Sequence, residues 1–87
     1  MTMKISGDSP ITHSIYKSTI DIIKHCLENS ILKEDDDFFT SGGDSMAAIN
    51  FLYTIESKFD IKMNLNELFS LRKINLIALR VAELVNN

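Results

Sequence analysis

The sequence predicts an all-α fold, a small four-helix bundle of three longer helices and one short one. Three observations carry this. Apolar residues recur at helical spacing in three separate stretches of the 87-residue chain. A short helical turn is signalled between the second and third of them, at Asn66-Glu67-Leu68-Phe69. No segment shows sustained alternation of apolar and polar residues between turn signals, so no sheet is expected. Helices of this kind must bury their stripes against one another, and a chain of this length has room for one core.

The first helix is expected from about Thr12, as N-cap, to about Glu28, with Pro10 ahead of it where it cannot interrupt the hydrogen bonding. Ile15, Thr19, Ile22, Ile23 and Cys26 share one face. Cys26 reads as a small core hydrophobe, since no basic group is placed to make its thiolate. His13 and His25 lie twelve positions apart, without a neighbour that would make a ligand pair or a nucleophile–base pair, and read as exposed helix residues. A connecting loop follows, with Ile31 and Leu32 expected to anchor it to the core.

Asp35-Asp36-Asp37 raises the question of a calcium loop, but Phe38 and Phe39 stand where ligands would be needed, so the acidic run reads as a solvated turn. The two phenylalanines are expected to pin the loop down, each worth roughly 1.5–3 kcal/mol if buried. The second helix runs from about Ser45 to about Phe59, with Ala48, Phe51, Leu52, Ile55 and Phe59 as its core stripe. Met46, Ile49 and Tyr53 form a second stripe that points largely away from the first. A docking surface is favoured for it over packing against the flanking loop or a short helix, because burying both faces is hard in so small a chain. Asp60 to Asn66 breaks the pattern, and Asn66 is expected to cap the short turn. The last helix starts near Ile74 and buries Ile74, Ile77, Ala78, Val81, Leu84 and Val85.

Composition narrows the function. Hydrophobic residues make up 45% and charged residues 24%, as in a globular rather than a disordered chain. A net charge of −3 with scattered positive residues argues against nucleic acid as a partner. A single cysteine rules out an intramolecular disulfide and a multi-cysteine metal site, and fits a reducing compartment. With no apolar run of membrane-spanning length and no signal-peptide pattern, a cytoplasmic protein is expected. Nothing in the chain supplies a nucleophile–base pair or the strand-turn-helix context of a serine hydrolase.

The stretch around which the rest is arranged is Asp37-Phe38-Phe39-Thr40-Ser41-Gly42-Gly43-Asp44-Ser45-Met46. Two glycines let the backbone bend, and Asp44 can cap the second helix. Ser45 then falls at the first helical position with its hydroxyl outward, where the helix dipole favours a phosphate. The string Asp35, Asp36, Phe38, Phe39, Gly42, Gly43, Asp44 and Ser45 resembles the attachment motif of peptidyl carrier proteins, the thiolation domains of nonribosomal peptide synthesis. The resemblance extends over about Thr12 to Val85, with Glu67-Leu68-Phe69 and the Ile74…Ile77-Ala78 spacing as weaker matches.

The resemblance implies that Ser45 carries a covalent 4′-phosphopantetheine from coenzyme A, placed there by a phosphopantetheinyl transferase. It implies an adenylation enzyme or domain that loads the arm and a condensation, thioesterase or tailoring domain that unloads it. It also implies a non-catalytic carrier, expected as a monomer, with Gly43, Asp44, Met46, Ile49 and Tyr53 as the docking residues. Residues 1–9 would be a flexible leader and residues 10–87 the carrier domain. A start at Met1 with a short leader favours a freestanding protein over an excised domain.

Three departures stand out. Ser41 replaces a commonly apolar residue, which suggests a looser loop. Arg72-Lys73 replaces the usual Pro-Thr, removing a helix start signal without touching the modification chemistry. Met46 replaces the more usual leucine or isoleucine.

Three rival readings compete. An acyl carrier protein of fatty-acid or polyketide type is disfavoured by the Gly-Gly pair before Asp44-Ser45 and by Glu56 being the only acid from Met46 to Phe59. An unmodified helical interaction module would bind partners regardless of Ser45. A hydrolase using Ser45 lacks its base.

Overall fold

The computed structural model describes residues 10–86, with the side chains of residues 12–86. The leader expected at residues 1–9 lies outside the described residues. Four helices follow in order: α1 Pro10–Leu27, α2 Ser45–Phe59, α3 Leu65–Leu71 and α4 Ile74–Asn86. Helix α1 packs most extensively on α4 and then on α2, and α3 closes the bundle against α2 and α4. This is the small four-helix bundle that the apolar spacing predicts, and no strand occurs among the described residues. An isolated bridge between Asp37 and Lys73 is the one piece of β-type pairing there.

Helix α1 begins earlier than expected. Pro10 is its first residue, where a missing N–H costs nothing. Thr12 is therefore inside the helix rather than its cap; it is buried, and its hydroxyl accepts from the Asn86 side-chain amide at 2.8 Å, tying the start of α1 to the end of α4. Helix α1 ends at Leu27, and Glu28 turns into the left-handed region. The predicted face is correct for Ile15, Thr19 and Ile23, which are buried, while Ile22 and Cys26 are partly buried against the same core. Ile20 joins them, outside the predicted stripe. Thr19 satisfies its buried hydroxyl by donating to the Ile15 carbonyl.

Helix α2 keeps its predicted limits. Asp60 stops it in the left-handed conformation, its N–H donating to the Glu56 carbonyl. The short helix is longer than one turn, and its cap is Asn64 rather than Asn66: the Asn64 side chain accepts from the Glu67 N–H at 2.8 Å. The cap shifts because Met63, just before it, is drawn into the core and becomes buried, which the polar look of residues 60–66 conceals. Helix α4 buries Ile74, Ile77, Ala78, Val81 and Ala82, with Leu84 and Val85 partly buried. Its missing start signal is replaced from outside the helix. The first N–H groups, of Ile74 and Asn75, donate to the carbonyls of Asp36 and Glu34 at 2.9 and 2.8 Å. The long loop thus caps α4 while α4 holds the loop.

Candidate functional site

The loop of residues 28–44 delivers Ser45, and each part of it is held by a different device. At its start, Leu32 is buried and anchors the chain as expected. Ile31 does not: it is 83% exposed. Its N–H is taken up locally by the Asn29 side chain, and the turn that results points Ile31 outward while Leu32 points in. The acidic run is more than a solvated turn. Asp36 accepts from the Lys33 N–H at 2.8 Å. Asp37 uses one carboxylate oxygen to accept from the N–H groups of Phe39 and Thr40, at 2.8 and 3.2 Å, and the other to accept from Arg72 Nε at 2.8 Å. Partial desolvation works against the Asp37 carboxylate. The bond from Arg72 and the two backbone N–H groups outweigh it and hold the carboxyl below its ordinary pKa.

Phe38 is fully buried and lies edge-on to Phe39, at 5.0 Å, and tilted against Phe51 of α2, at 5.9 Å. Phe39 is half-buried and stacks on Phe69 of α3 at 4.7 Å. The glycine pair follows. Gly42 takes φ +114°, a conformation that side chains rarely adopt. Gly43 lies flat against Phe38, so that a Cβ there would stand 2.4 Å from both the ring and the carbonyl oxygen of Phe38. The Gly43 N–H donates to that same carbonyl at 2.9 Å. Ser41, the residue suspected of loosening the loop, donates its N–H to the Asp37 carbonyl at 3.0 Å and closes the turn instead.

Asp44 is the N-cap of α2, its carboxylate accepting from the Ala47 N–H at 2.9 Å and its carbonyl from the Ala48 N–H at 3.0 Å. Ser45 is the first residue of α2 and is exposed. The two first-turn N–H groups that Asp44 does not satisfy, those of Ser45 and Met46, belong to exposed residues. A phosphodiester on this hydroxyl would meet the positive end of a 15-residue helix, with an exposed Gly42 leaving one side uncovered. The residues present therefore fit such a group.

The other candidate residues divide. Met46, Ile49 and Tyr53 are 67%, 53% and 72% exposed and lie along one face of α2, reaching about 12 Å from Ser45 at the usual rise per residue. Asp44 is exposed beside them. Gly43 is the exception: it is buried, so it presents no surface to a partner. The sequence reading missed Asp37 as an organiser of this loop, and with it Arg72. The Asx pattern of Asp37 has a local signal, an aspartate just before a turn, whereas Arg72 arrives from 35 residues away. On the far side of the loop, Tyr16 donates to Glu34 at 2.6 Å. Burial and then that bond push the phenol up to about 12. The Cys26 thiol is likewise pushed up by burial, as suits a packing residue.

The family model described as "Phosphopantetheine attachment site" matches residues 20–81, well over half of the chain. The chain belongs to this family of carrier proteins, whose cofactor is a covalently attached 4′-phosphopantetheine. Domains of the family are carriers rather than catalysts, are modified by a phosphopantetheinyl transferase and work with partner enzymes. No curated protein and no solved structure matched the chain at the significance required. Among the described residues, no helix is long and apolar enough to cross a membrane.

Proposed function

We propose that the chain is a peptidyl carrier protein that bears its 4′-phosphopantetheine on Ser45. On that reading it receives an aminoacyl or acyl group from an adenylation enzyme and delivers it to a condensation, thioesterase or tailoring domain of nonribosomal peptide synthesis. The observation that carries the site is the exposed Ser45 at the start of α2, behind a loop locked by Phe38, Gly43 and Asp44. The peptidyl type is supported by the character of α2, whose outer face offers Met46, Ile49 and Tyr53 and, from Met46 on, a single acid, Glu56.

The arm supplies a thiol on which the acyl group travels as a thioester. The chain's own part is positional. It holds the Ser45 hydroxyl outward on a rigid helix end, with the first-turn N–H groups beside it. The base and metal for modification must come from the transferase, since Ser45 is an ordinary hydroxyl. Docking has to be weak, because each partner must be left in turn, and a patch of three apolar side chains suits an interface of under about 1,200 Å². Tethering then raises the effective concentration of the acyl group at each partner.

The test is the intact mass after incubation with coenzyme A and a broad-specificity phosphopantetheinyl transferase, beside a Ser45→Ala control. A gain of one phosphopantetheinyl group that the control lacks is expected. No gain in a folded chain, across several transferases, would turn the reading toward an unmodified interaction module. Loading of the modified chain with amino acids rather than malonyl groups checks the peptidyl type.

A further inference from the structure

We propose that Arg72 is a positioning residue for the modification of Ser45, acting through Asp37; this rests on Ser45 being the attachment residue. Arg72 closes α3 with its N–H on the Leu68 carbonyl and leads into α4, while its side chain and its own carbonyl reach the loop that ends at Ser45. Its Nε donates to Asp37 Oδ2 at 2.8 Å, and its guanidinium lies 5.5 Å from the centre of the Phe39 ring. Its carbonyl accepts from the Phe38 N–H at 2.7 Å. From there the contacts run on without a gap. Asp37 holds the N–H groups of Phe39 and Thr40 with its side chain and that of Ser41 with its carbonyl. Phe38 holds Gly43 by its carbonyl and by ring contact, and Gly43 leads directly to Asp44 and Ser45.

Two features separate this from an incidental surface ion pair. Arg72 has φ +59° and ψ −49°, outside the left-handed helical region, and the Lys73 N–H donates across it to the Leu71 carbonyl at 2.6 Å, a strained tight turn that does not favour arginine. Its side chain also meets Asp37 and Phe39 together, and Phe39 is itself stacked on Phe69, so one guanidinium joins the end of α3 to two residues of the serine loop. The ion pair is partly exposed, with side-chain exposures of 49% and 23%, and pairs of that kind add little to global stability. The effect belongs to the order of the loop and not to the survival of the fold.

The experiment uses Arg72→Asn, which removes the guanidinium and keeps a small polar side chain, together with Asp37→Asn and the double variant. Steady-state modification by the transferase is measured beside amide hydrogen exchange. For Arg72→Asn, kcat/KM should fall about three- to tenfold, chiefly through KM. Exchange should quicken at Phe39, Thr40, Ser41 and Gly43 and stay unchanged at Phe51 and Ile77. In the Asp37→Asn background, the further loss should be under about twofold. Multiplying losses would overturn the proposal, since Arg72 would then act independently of Asp37. So would a modified wild type whose rate and loop exchange ignore Arg72→Asn. A wild-type chain that is not modified at Ser45 would overturn the attachment reading along with it.

Discussion

Gly43 shows how much of this site depends on what a single residue lacks. The Phe38 ring and carbonyl fill the space where a Cβ would stand, at 2.4 Å, and neither is the free end of a flexible side chain. Gly43→Ala must therefore push Phe38 out of the core or lift the loop. A loss of about 1–3 kcal/mol in urea denaturation is expected, as for other overpacked sites. The rate of modification by the transferase should fall with it, because Ser45 lies two residues on. Unchanged stability would mean that the loop has a second resting place for Phe38. The glycine itself is plain in the sequence, but its reason is not: a Gly-Gly pair before an aspartate reads as flexibility, whereas the structure uses Gly43 for close packing. Ile31 is the opposite case, an apolar residue read as an anchor that stands 83% exposed. Next to it, Leu32 does the anchoring, and adjacent residues in a turn cannot both face inward.

Helix α2 is the element in which sequence and structure agree most closely. Its limits, its aspartate cap and its two apolar faces all follow from spacing, because helical periodicity depends on the chain's own geometry. One face is buried through Ala48, Phe51 and Ile55, and the other stands in solvent through Met46, Ile49 and Tyr53. Tyr53→Asp therefore separates the two. Its helicity and unfolding midpoint should match the parent within about 0.5 kcal/mol, as for surface substitutions generally. Turnover with a partner enzyme should be impaired. Lost helicity would show Tyr53 to be part of the core. Helix α3 was legible only in part. Its cap moved to Asn64 because Met63 is buried, and whether an isolated methionine between polar residues turns inward depends on what the other helices leave open. Helix α4 has no start signal of its own and takes its first hydrogen-bond partners from the carbonyls of Glu34 and Asp36.

At the scale of the whole molecule, the loop and the four helices share one core in which Phe38, Phe51, Ile55, Leu68, Ile77 and Val81 are fully buried. Phe51 touches both sides of it, from α2 to the Phe38 of the serine loop. Phe51→Ala should cost about 3–5 kcal/mol, against a total of roughly 0.05–0.15 kcal/mol per residue for a domain of this kind. Denaturant titration should show a midpoint much lower than the parent's and a single transition for all helices. Separate melting of α3 would show that the bundle is less cooperative than its shared core implies.

By itself, the sequence determined the all-α class, the α2 register and the motif that ends in Ser45, because each rests on residues close together in the chain. Tertiary structure decided what lies between distant ones. It paired Arg72 with Asp37, gave α4 its cap from the loop, buried Met63 and turned Ile31 outward. Such choices follow from which surfaces remain free once the helices have packed, and local periodicity and propensity hold no record of that.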